Sequence, residues 1–275
     1  MSSLPRSTAA LALAALAASS AAPADYVRVP GGLMHASCVH AAPADIPLDA
    51  ATLPRCAHPF LRNGANSSHG AAWKAWAQSA PGGSVTSLSS EWAVPGEPID
   101  PSSGQTLFFW NGAEPADTSA VLQPVLQWGT SAAGGGSYWA YASWYVSGAH
   151  GSHYSKVVKV KTGDVMTGSN VVDKATGSWN ISSTAPGREP SVLIFKPVPG
   201  DWATAYHVLE AYGVSTVCDL YPAAGAVNFT NVAASWDGKP VSPIKWTAMT
   251  QTAGCGEHAA FDAEGDAVEI LFKTS

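Results

Sequence analysis

Two polar side chains, Gln127 and Glu210, lie in apolar runs of the sequence and are of types that can do chemistry together. Gln127 belongs to VLQPVLQWG at 121–129, and Glu210 belongs to WATAYHVLEAYG at 202–213. A carboxylate can act as a general base, and a carboxamide can donate hydrogen bonds to an oxyanion. On one face of a sheet, the two would supply a hydrolytic site without a metal, a covalent nucleophile or a cofactor. The pair therefore suggests an enzyme.

The neighbours of these residues follow from strand alternation, because successive side chains of a strand point to opposite faces. Glu210 would share its face with Tyr206 and Tyr212, and Gln127 would share its face with Val125. A third run has a polar and aromatic face made of Trp139, Tyr141, Ser143 and Tyr145. Such a surface suits an extended peptide or a sugar chain equally well. Polar residues that simply face solvent would give the same pattern.

The elements that position these residues are predicted to be strands. From residue 84 onward, short runs rich in β-branched and aromatic residues alternate with Gly, Pro, Asp and Asn, which indicates an antiparallel sandwich or barrel. One helical fragment is predicted at 71–78, where Trp73 and Trp76 lie three residues apart. The predicted strands are 84–94, 105–112, 121–129, 137–147, 153–161, 164–172, 176–183, 190–197, 204–213, 225–232, 243–250 and 267–273.

Composition is typical of an exported all-β protein and excludes some partners. Of the 275 residues 46% are hydrophobic and only 12% are charged, so the chain can bury a full core. The formal net charge of −6 argues against nucleic acid, because nothing would neutralise phosphates.

The N-terminus has the pattern of a signal peptide over 1–24. Arg6 is followed by an alanine- and leucine-rich run, and Ala22-Pro23-Ala24 provides small residues for cleavage before Asp25. The run is too short to span a membrane, so we expect a secreted, extracellular protein with no membrane contact after cleavage.

Four cysteines divide into a near pair at each end of the mature chain: Cys38, Cys56, Cys218 and Cys255. Three pairings are possible, and loop-closure entropy favours Cys38–Cys56 and Cys218–Cys255. The first bridge would tie an N-terminal extension, 25–83, ahead of a sandwich domain at 84–275. No C-x-x-C spacing is present, so no zinc site is expected. Glycosylation is possible at Asn66, Asn180 and Asn228.

Several segments, in order, resemble the eqolisin family of glutamic peptidases. The stretch VLQWG at 125–129 resembles the family's Leu-Gln-x-Gly strand, and AYHVLEAY at 205–212 falls where the family has its glutamate strand. The other segments are SSEWAVP at 89–95, FFWNGAE at 108–114, YWAYASWYV at 138–146, TGDVMTG at 162–168 and NFTNV at 228–232.

The resemblance implies a concanavalin-A-like sandwich of two antiparallel sheets and a secreted acid endopeptidase. It places Gln127 and Glu210 on the catalytic pair, Trp110 on an active-site tryptophan and Tyr145 on an aromatic of the cleft. Tyr141 and Trp139, on the face of Tyr145, are further candidates for substrate binding. The implied substrate is an extended polypeptide, with no cofactor and no metal, and we expect a monomer.

Departures from the family pattern leave other functions open. Ser143 and Tyr206 stand where the family has acidic residues, and Ala211 follows the glutamate in place of Asp. They favour a non-catalytic module that binds carbohydrate or a protein on the same face, whereas the Gln–Glu pair opposes it.

A glucanase is a further alternative. Glu264, Asp266 and Glu269 fit the E-x-D-x-x-E spacing of laminarinase-type enzymes, although Gly265 interrupts the strand that this motif requires.

If the peptidase reading is right, Gln127 and Glu210 lie in one sheet on its concave face. They must then be near enough to share one water, at most about 5–6 Å apart.

Overall fold

The computed structural model describes residues 23–43, 46–61, 72–197, 200–251 and 254–274. In these ranges nearly all regular structure is extended, and the helical segments are two three-residue 3₁₀ turns, Ala36–Cys38 and Cys218–Leu220. None of the described helices is long and apolar enough to cross a membrane. The strands, in chain order, are β1 Tyr26–Val29, β2 Gly32–His35, β3 Val39–Ala41, β4 Leu48–Asp49, β5 Trp73–Ser79, β6 Val85–Ala93, β7 Thr106–Glu114, β8 Ala120–Ser131, β9 Gly134–Ser147, β10 Gly151–Tyr154, β11 Val158–Lys159, β12 Val165–Asp173, β13 Ser178–Thr184, β14 Ser191–Lys196, β15 Thr204–Tyr212, β16 Ala226–Trp236, β17 Lys239–Pro240, β18 Thr247–Thr250, β19 His258–Phe261 and β20 Val268–Leu271.

Two sheets pack face to face, as predicted. The front sheet has the order β18-β5-β15-β7-β8-β9-β10-β3, with β11 paired to β9. The back sheet has the order β19-β20-β16-β6-β12-β13-β14-β4, with β17 paired to β16. Pairing is antiparallel except at β3 with β10 and at β4 with β14. The expected antiparallel two-sheet sandwich is confirmed.

The front sheet is buried on both sides, which explains why every residue of β7 is buried. Leu107 and Phe109 point toward the back sheet and join the core between the sheets. Phe108 and Trp110 point the other way, to a second apolar cluster on what we call the front face. The N-terminal extension covers that face, since Val29 and Met34 belong to the same cluster.

The segment predicted to be helical at 71–78 is instead strand β5, in the interior of the front sheet. Trp73 pairs with Glu210 and Ala75 pairs with Leu209, so Lys74 is an extra residue at a β-bulge. The bulge leaves Trp73 and Trp76 on the same face although they lie three residues apart. A bulged strand thus reproduced the spacing of a helix. The predicted domain boundary after residue 83 would cut this strand out of its sheet.

Both predicted disulfides are present, Cys38–Cys56 and Cys218–Cys255. The first lies within the extension and the second within the sandwich. Asn180 and Asn228 are exposed on strands. Asn66 and nearly all of the predicted signal peptide lie outside the described residues.

Candidate functional site

Strand register aligns Gln127 and Glu210 across the middle of the front sheet. Strand β7 lies between β8 and β15, and Phe108 on β7 pairs with Gln127 on one side and with Glu210 on the other. Residues paired across a ladder point to the same face. Two strand spacings separate the two backbones by about 10 Å, so side chains from both can reach the space above Phe108.

The shared face is the front face, not the space between the sheets. Tyr206, Val208 and Tyr212, which alternate with Glu210 along β15, all belong to the front cluster. Leu209 and Ala211 belong to the core between the sheets. The alternation predicted for this strand is therefore the one that the structure has.

Glu210 is fully buried under the N-terminal hairpin formed by β1 and β2. The backbone N–H of Gly31, in the hairpin turn, donates to both carboxylate oxygens, at 2.8 Å to Oε1 and 2.9 Å to Oε2. Burial raises the pKa of Glu210 from its usual 4.5 to about 7, although hydrogen bonds from Tyr212 and Gly31 act to lower the pKa. A carboxyl with a pKa near neutrality can exchange a proton.

Tyr212 is a site residue to which the sequence analysis gave no role. Its hydroxyl lies 2.6 Å from Glu210 Oε1, and the same oxygen lies 3.0 Å from the carbonyl oxygens of Val29 and Gly32. The signal was in the sequence, because a tyrosine two residues after a strand glutamate must share its face. The sequence did not indicate that the β1–β2 hairpin contacts both side chains.

Gln127 is held by residues at the end of β8 and the start of β9. Its Nε2 donates to the carbonyl oxygens of Gly129, at 2.7 Å, and Gly134, at 2.9 Å. Its Oε1 accepts from the Ser131 hydroxyl at 2.7 Å. Both amide protons are thus engaged by backbone, and within the described chain Gln127 and Glu210 do not hydrogen-bond each other.

Trp110 lies on the front face, fully buried, with its ring 5.0 Å from that of Trp73. Its indole N–H makes no hydrogen bond of normal geometry to a described residue. It is still near enough to Glu210 to lower the pKa of that carboxyl, as the smallest of the contributions. Trp110 therefore lies on the same face of the sheet as Glu210.

The other three predicted substrate-binding residues lie on the wrong side of the sheet. Trp139, Tyr141 and Tyr145 are buried in the core between the sheets, where Tyr145 stacks on Phe195 at 3.6 Å. The reason is register: Gln127 pairs with Ala140, so the even-numbered residues of this part of β9 face the front. Its front-face aromatic is Trp144.

The position of Ser143 also shows that this residue does not favour a non-catalytic module, as its sequence position had suggested. Ser143 points between the sheets, where its hydroxyl lies 2.9 Å from the Ser191 carbonyl oxygen and 3.3 Å from the Ser183 hydroxyl. An acidic residue missing at 143 therefore does not change the front face. Tyr206 is on the front face and supplies no charge there.

The glucanase cluster does not form a site on one strand. Of its three acids only Glu269 lies in β20, where its neighbours Val268 and Ile270 point inward. Glu264 and Asp266 flank Gly265 in the preceding turn, whose φ is +74°. A glycosidase of this type needs its acids on one strand face, so this alternative is not supported.

Comparison with known proteins supports the fold. A scytalidoglutamic peptidase solved with a peptide-based transition-state analogue is similar at a TM-score of 0.50 and 17% identity, over 72% of this chain and 98% of its own. SCP-B, a member of the eqolisin family solved with the tripeptide Ala-Ile-His, gives 0.50 and 18% over the same shares. No family model and no curated protein matches the chain. The fold is thus that of the glutamic peptidases, at an identity that fits a remote relative.

Proposed function

We propose that this protein is a secreted acid endopeptidase of the glutamic-peptidase type, with Glu210 as general base and Gln127 as oxyanion donor. The observation that carries the proposal is the register Glu210–Phe108–Gln127 on the front face of a sandwich shared with glutamic peptidases. The two disulfides and the predicted signal peptide favour an extracellular location.

In this reaction Glu210 takes a proton from a water that attacks the scissile carbonyl, and then passes that proton to the leaving amine. Gln127 stabilises the developing oxyanion through its amide N–H groups. Because Gln127 is neutral, it adds no like charge that would compete with ionisation of Glu210. Phe108 and Trp110 form the apolar floor and wall beside the pair.

Gln127 must change partners before it can act in this way. Both of its amide protons are donated to backbone carbonyls, one near the end of β8 and one at the start of β9. Freeing one of them requires rotation of the side chain or a shift of the glycine-rich start of β9 (Gly134 to Gly136), where glycine permits more backbone conformations than other residues.

The decisive experiment is casein cleavage by the secreted protein from about pH 2 to pH 8, beside a Glu210→Gln variant, because Glu210 with a pKa of about 7 is protonated at pH 2 to 5 while the hairpin covers it. A suitable control is Glu257→Gln, which alters another buried glutamate bonded to a tyrosine: Glu257 accepts from Tyr221 at 2.9 Å. Cleavage that is lost in Glu210→Gln and kept in Glu257→Gln supports the proposal. Equal cleavage by all three proteins rules out Glu210 as the base.

A non-catalytic binding module is the second candidate. It is favoured by the hydrogen bonds of Gln127, because both amide protons are already donated to backbone carbonyls. Such a module would bind glycan or protein on the front face and would need no free oxyanion donor. Absence of casein cleavage, together with binding on a glycan array, would support this alternative.

A further inference from the structure

We propose that the Cys38–Cys56 disulfide builds a second binding site, separate from Gln127 and Glu210, that takes a phosphate or sulfate group. Gln127 pairs with Ala140, whereas the second site lies beyond the C-terminal end of β9, roughly 24 Å further along that strand. The inference therefore does not rest on the proposed peptidase function.

Three close contacts bring the residues of this site together. The disulfide holds the Cα atoms of Cys38 and Cys56 at 5.5 Å. The Cys56 N–H donates to the Ala149 carbonyl oxygen at 2.9 Å, which joins the extension to the turn between β9 and β10. Gly151 follows that turn, and a Cβ atom there would lie 2.2 Å from the Cys38 carbonyl oxygen, so a larger residue would push the two segments apart. The segments that flank both cysteines therefore meet the β9–β10 turn around one cavity.

This cavity has a volume of about 200 Å³ and a basic lining. Its titratable side chains are His40, Arg55, His58 and His150, and no carboxylate of the described residues lines it. Arginine presents N–H donors in a planar fork that matches an oxyanion, and an imidazole adds a charged donor when it is protonated. Converging cationic donors without a carboxylate are the chemistry that recognises a phosphate or sulfate group.

Two more histidines stand next to this lining. His35 stacks on His58, with ring centroids 3.6 Å apart and ring planes within 9°. His153 lies 5.3 Å from His40, which is its partner in the register of β3 with β10. The Nε2 of His153 lies 3.1 Å from the His150 carbonyl oxygen. Each ring that takes up a proton places positive charge beside the others, so an anion would stabilise the cluster at acidic pH.

His150 is the residue whose surroundings point most directly to an anion. Its Nδ1 is buried and makes no hydrogen bond to a described residue. Burial, and then the charge of Arg55, lowers the pKa of His150. Within the described ranges, Arg55 makes no ion pair with a carboxylate. An oxyanion that accepted from Nδ1 would oppose the effect of Arg55 and raise the pKa of His150.

Two carboxylates belong to the neighbouring cavity and not to this one. Arg55 and His150 also line a larger cavity of about 430 Å³, whose lining includes Asp117 and Asp201. These acids reduce the positive potential around Arg55, so binding in the smaller cavity should depend on protonation of the histidines. We therefore expect affinity for a divalent oxyanion to rise as pH falls through about 6.5, the usual range of histidine.

The test measures sulfate binding to the full chain by isothermal titration calorimetry at constant ionic strength, at about pH 5 and about pH 8. Sodium sulfate is the probe because sulfate keeps both charges over this range, whereas a phosphate group loses one near about pH 6. We expect the affinity at the lower pH to be about tenfold higher or more, the factor for 1.4 kcal/mol. Sulfate that binds at neither pH would overturn the proposal.

Exposed residues of the cavity can be changed without disturbing the core. Arg55→Gln and His58→Gln each remove one donor, and we expect either to lower the affinity for sulfate by about tenfold. Lys239→Gln and His258→Gln are the matched controls, because they change exposed residues of the same types of charge on β17 and β19. Equal losses in all four variants would mean that sulfate is attracted to the whole surface, and the site would be wrong.

Nuclear magnetic resonance of the histidine rings locates the bound anion. We expect sulfate to raise the pKa of His150 and to leave the resonances of His258 unchanged. If sulfate binds and His150 does not respond, the anion lies elsewhere, which contradicts the assignment.

A sulfated oligosaccharide and its desulfated counterpart distinguish the sources of the oxyanion. Tighter binding of the sulfated oligosaccharide than of free sulfate would identify an ester on a sugar, which the adjoining larger cavity has room to accept. Equal affinities would identify the free anion, and either result supports the site. Equal binding of the sulfated and desulfated oligosaccharides would show that the charged group is not recognised, and the proposal would fall.

Discussion

Tyr212 and Glu210 are in close contact on the front face, with 2.6 Å between the hydroxyl and Oε1. The tyrosine hydroxyl has one proton, but three acceptors surround it: the carboxylate and the carbonyl oxygens of Val29 and Gly32. It can satisfy one of them at a time. The hydroxyl therefore couples the protonation of Glu210 to the position of the β1–β2 hairpin.

The first prediction concerns Tyr212→Phe in the intact chain. Loss of the hydroxyl leaves buried acceptors without a donor, so we expect the free energy of unfolding to fall by about 1–3 kcal/mol. The pKa of Glu210 should rise further, because the bond from Tyr212 is the largest of the contributions that lower it. Denaturant titration and carbon NMR of the glutamate carboxyls check the two effects. A Glu210 pKa that falls in this variant would contradict the assignment.

The second prediction is a dependence of stability on pH that arises from Glu210. Its folded-state pKa is raised above the usual 4.5, so its contribution to stability is complete below pH 4.5 and is lost as pH rises through about 7. The full effect of such a shift is about 3 kcal/mol. Unfolding free energies measured across this range should fall more steeply for wild type than for Glu210→Gln. Parallel curves would show that Glu210 ionises in the folded state without penalty.

The third prediction has the opposite sign and concerns His153, which is buried in β10. Burial, with smaller contributions from the charges of His40 and His150, lowers its pKa from 6.5 to about 4, although the hydrogen bond with the His150 carbonyl oxygen acts to raise the pKa. Its contribution to stability is present above pH 6.5 and is lost as pH falls through about 4. We expect the midpoint of acid unfolding to lie at a lower pH for His153→Phe than for wild type. Phenylalanine cannot take up a proton, and it can pack beside Phe195 and Tyr145.

The same experiment has a control in His258, which is exposed on β19. Substitution of His258 by phenylalanine removes a histidine without changing a buried site, so its acid transition should match that of wild type. An equal shift in both variants would mean that the loss of positive charge, not burial of His153, sets the transition.

The sequence predicts the sandwich well because strand identity depends on local composition and on turns. All twelve predicted runs contain strands, and the face of Glu210 follows from alternation alone. The prediction fails where an extra residue enters a strand: Lys74 at the bulge of β5 gives Trp73 and Trp76 a helical spacing. A bulge is visible only once the partner strand is known.

The candidate site was predicted in part for a related reason. Period-two alternation sorts β9 into two faces but does not say which face is outside, and only the pairing of Gln127 with Ala140 decides it. The aromatic side with Trp139, Tyr141 and Tyr145 was therefore assigned to the wrong surface. The hydrogen bond between Gly31 and Glu210 places the hairpin over the carboxyl. It joins residues 179 positions apart, and nothing in the local sequence indicates such a contact.

The last prediction tests this reassignment at Tyr145, whose ring stacks on Phe195 between the sheets. Tyr145→Ala should lower the free energy of unfolding by about 3–5 kcal/mol, as for other large buried aromatics, because a cavity is left in the core. Tyr145→Phe keeps the ring and loses only the hydroxyl, so it should cost about 1 kcal/mol and leave kcat/KM for peptide cleavage unchanged. Thermal unfolding and steady-state kinetics measure the two quantities. If Tyr145→Phe raises KM while stability is kept, Tyr145 contacts substrate, and its assignment to the core is wrong.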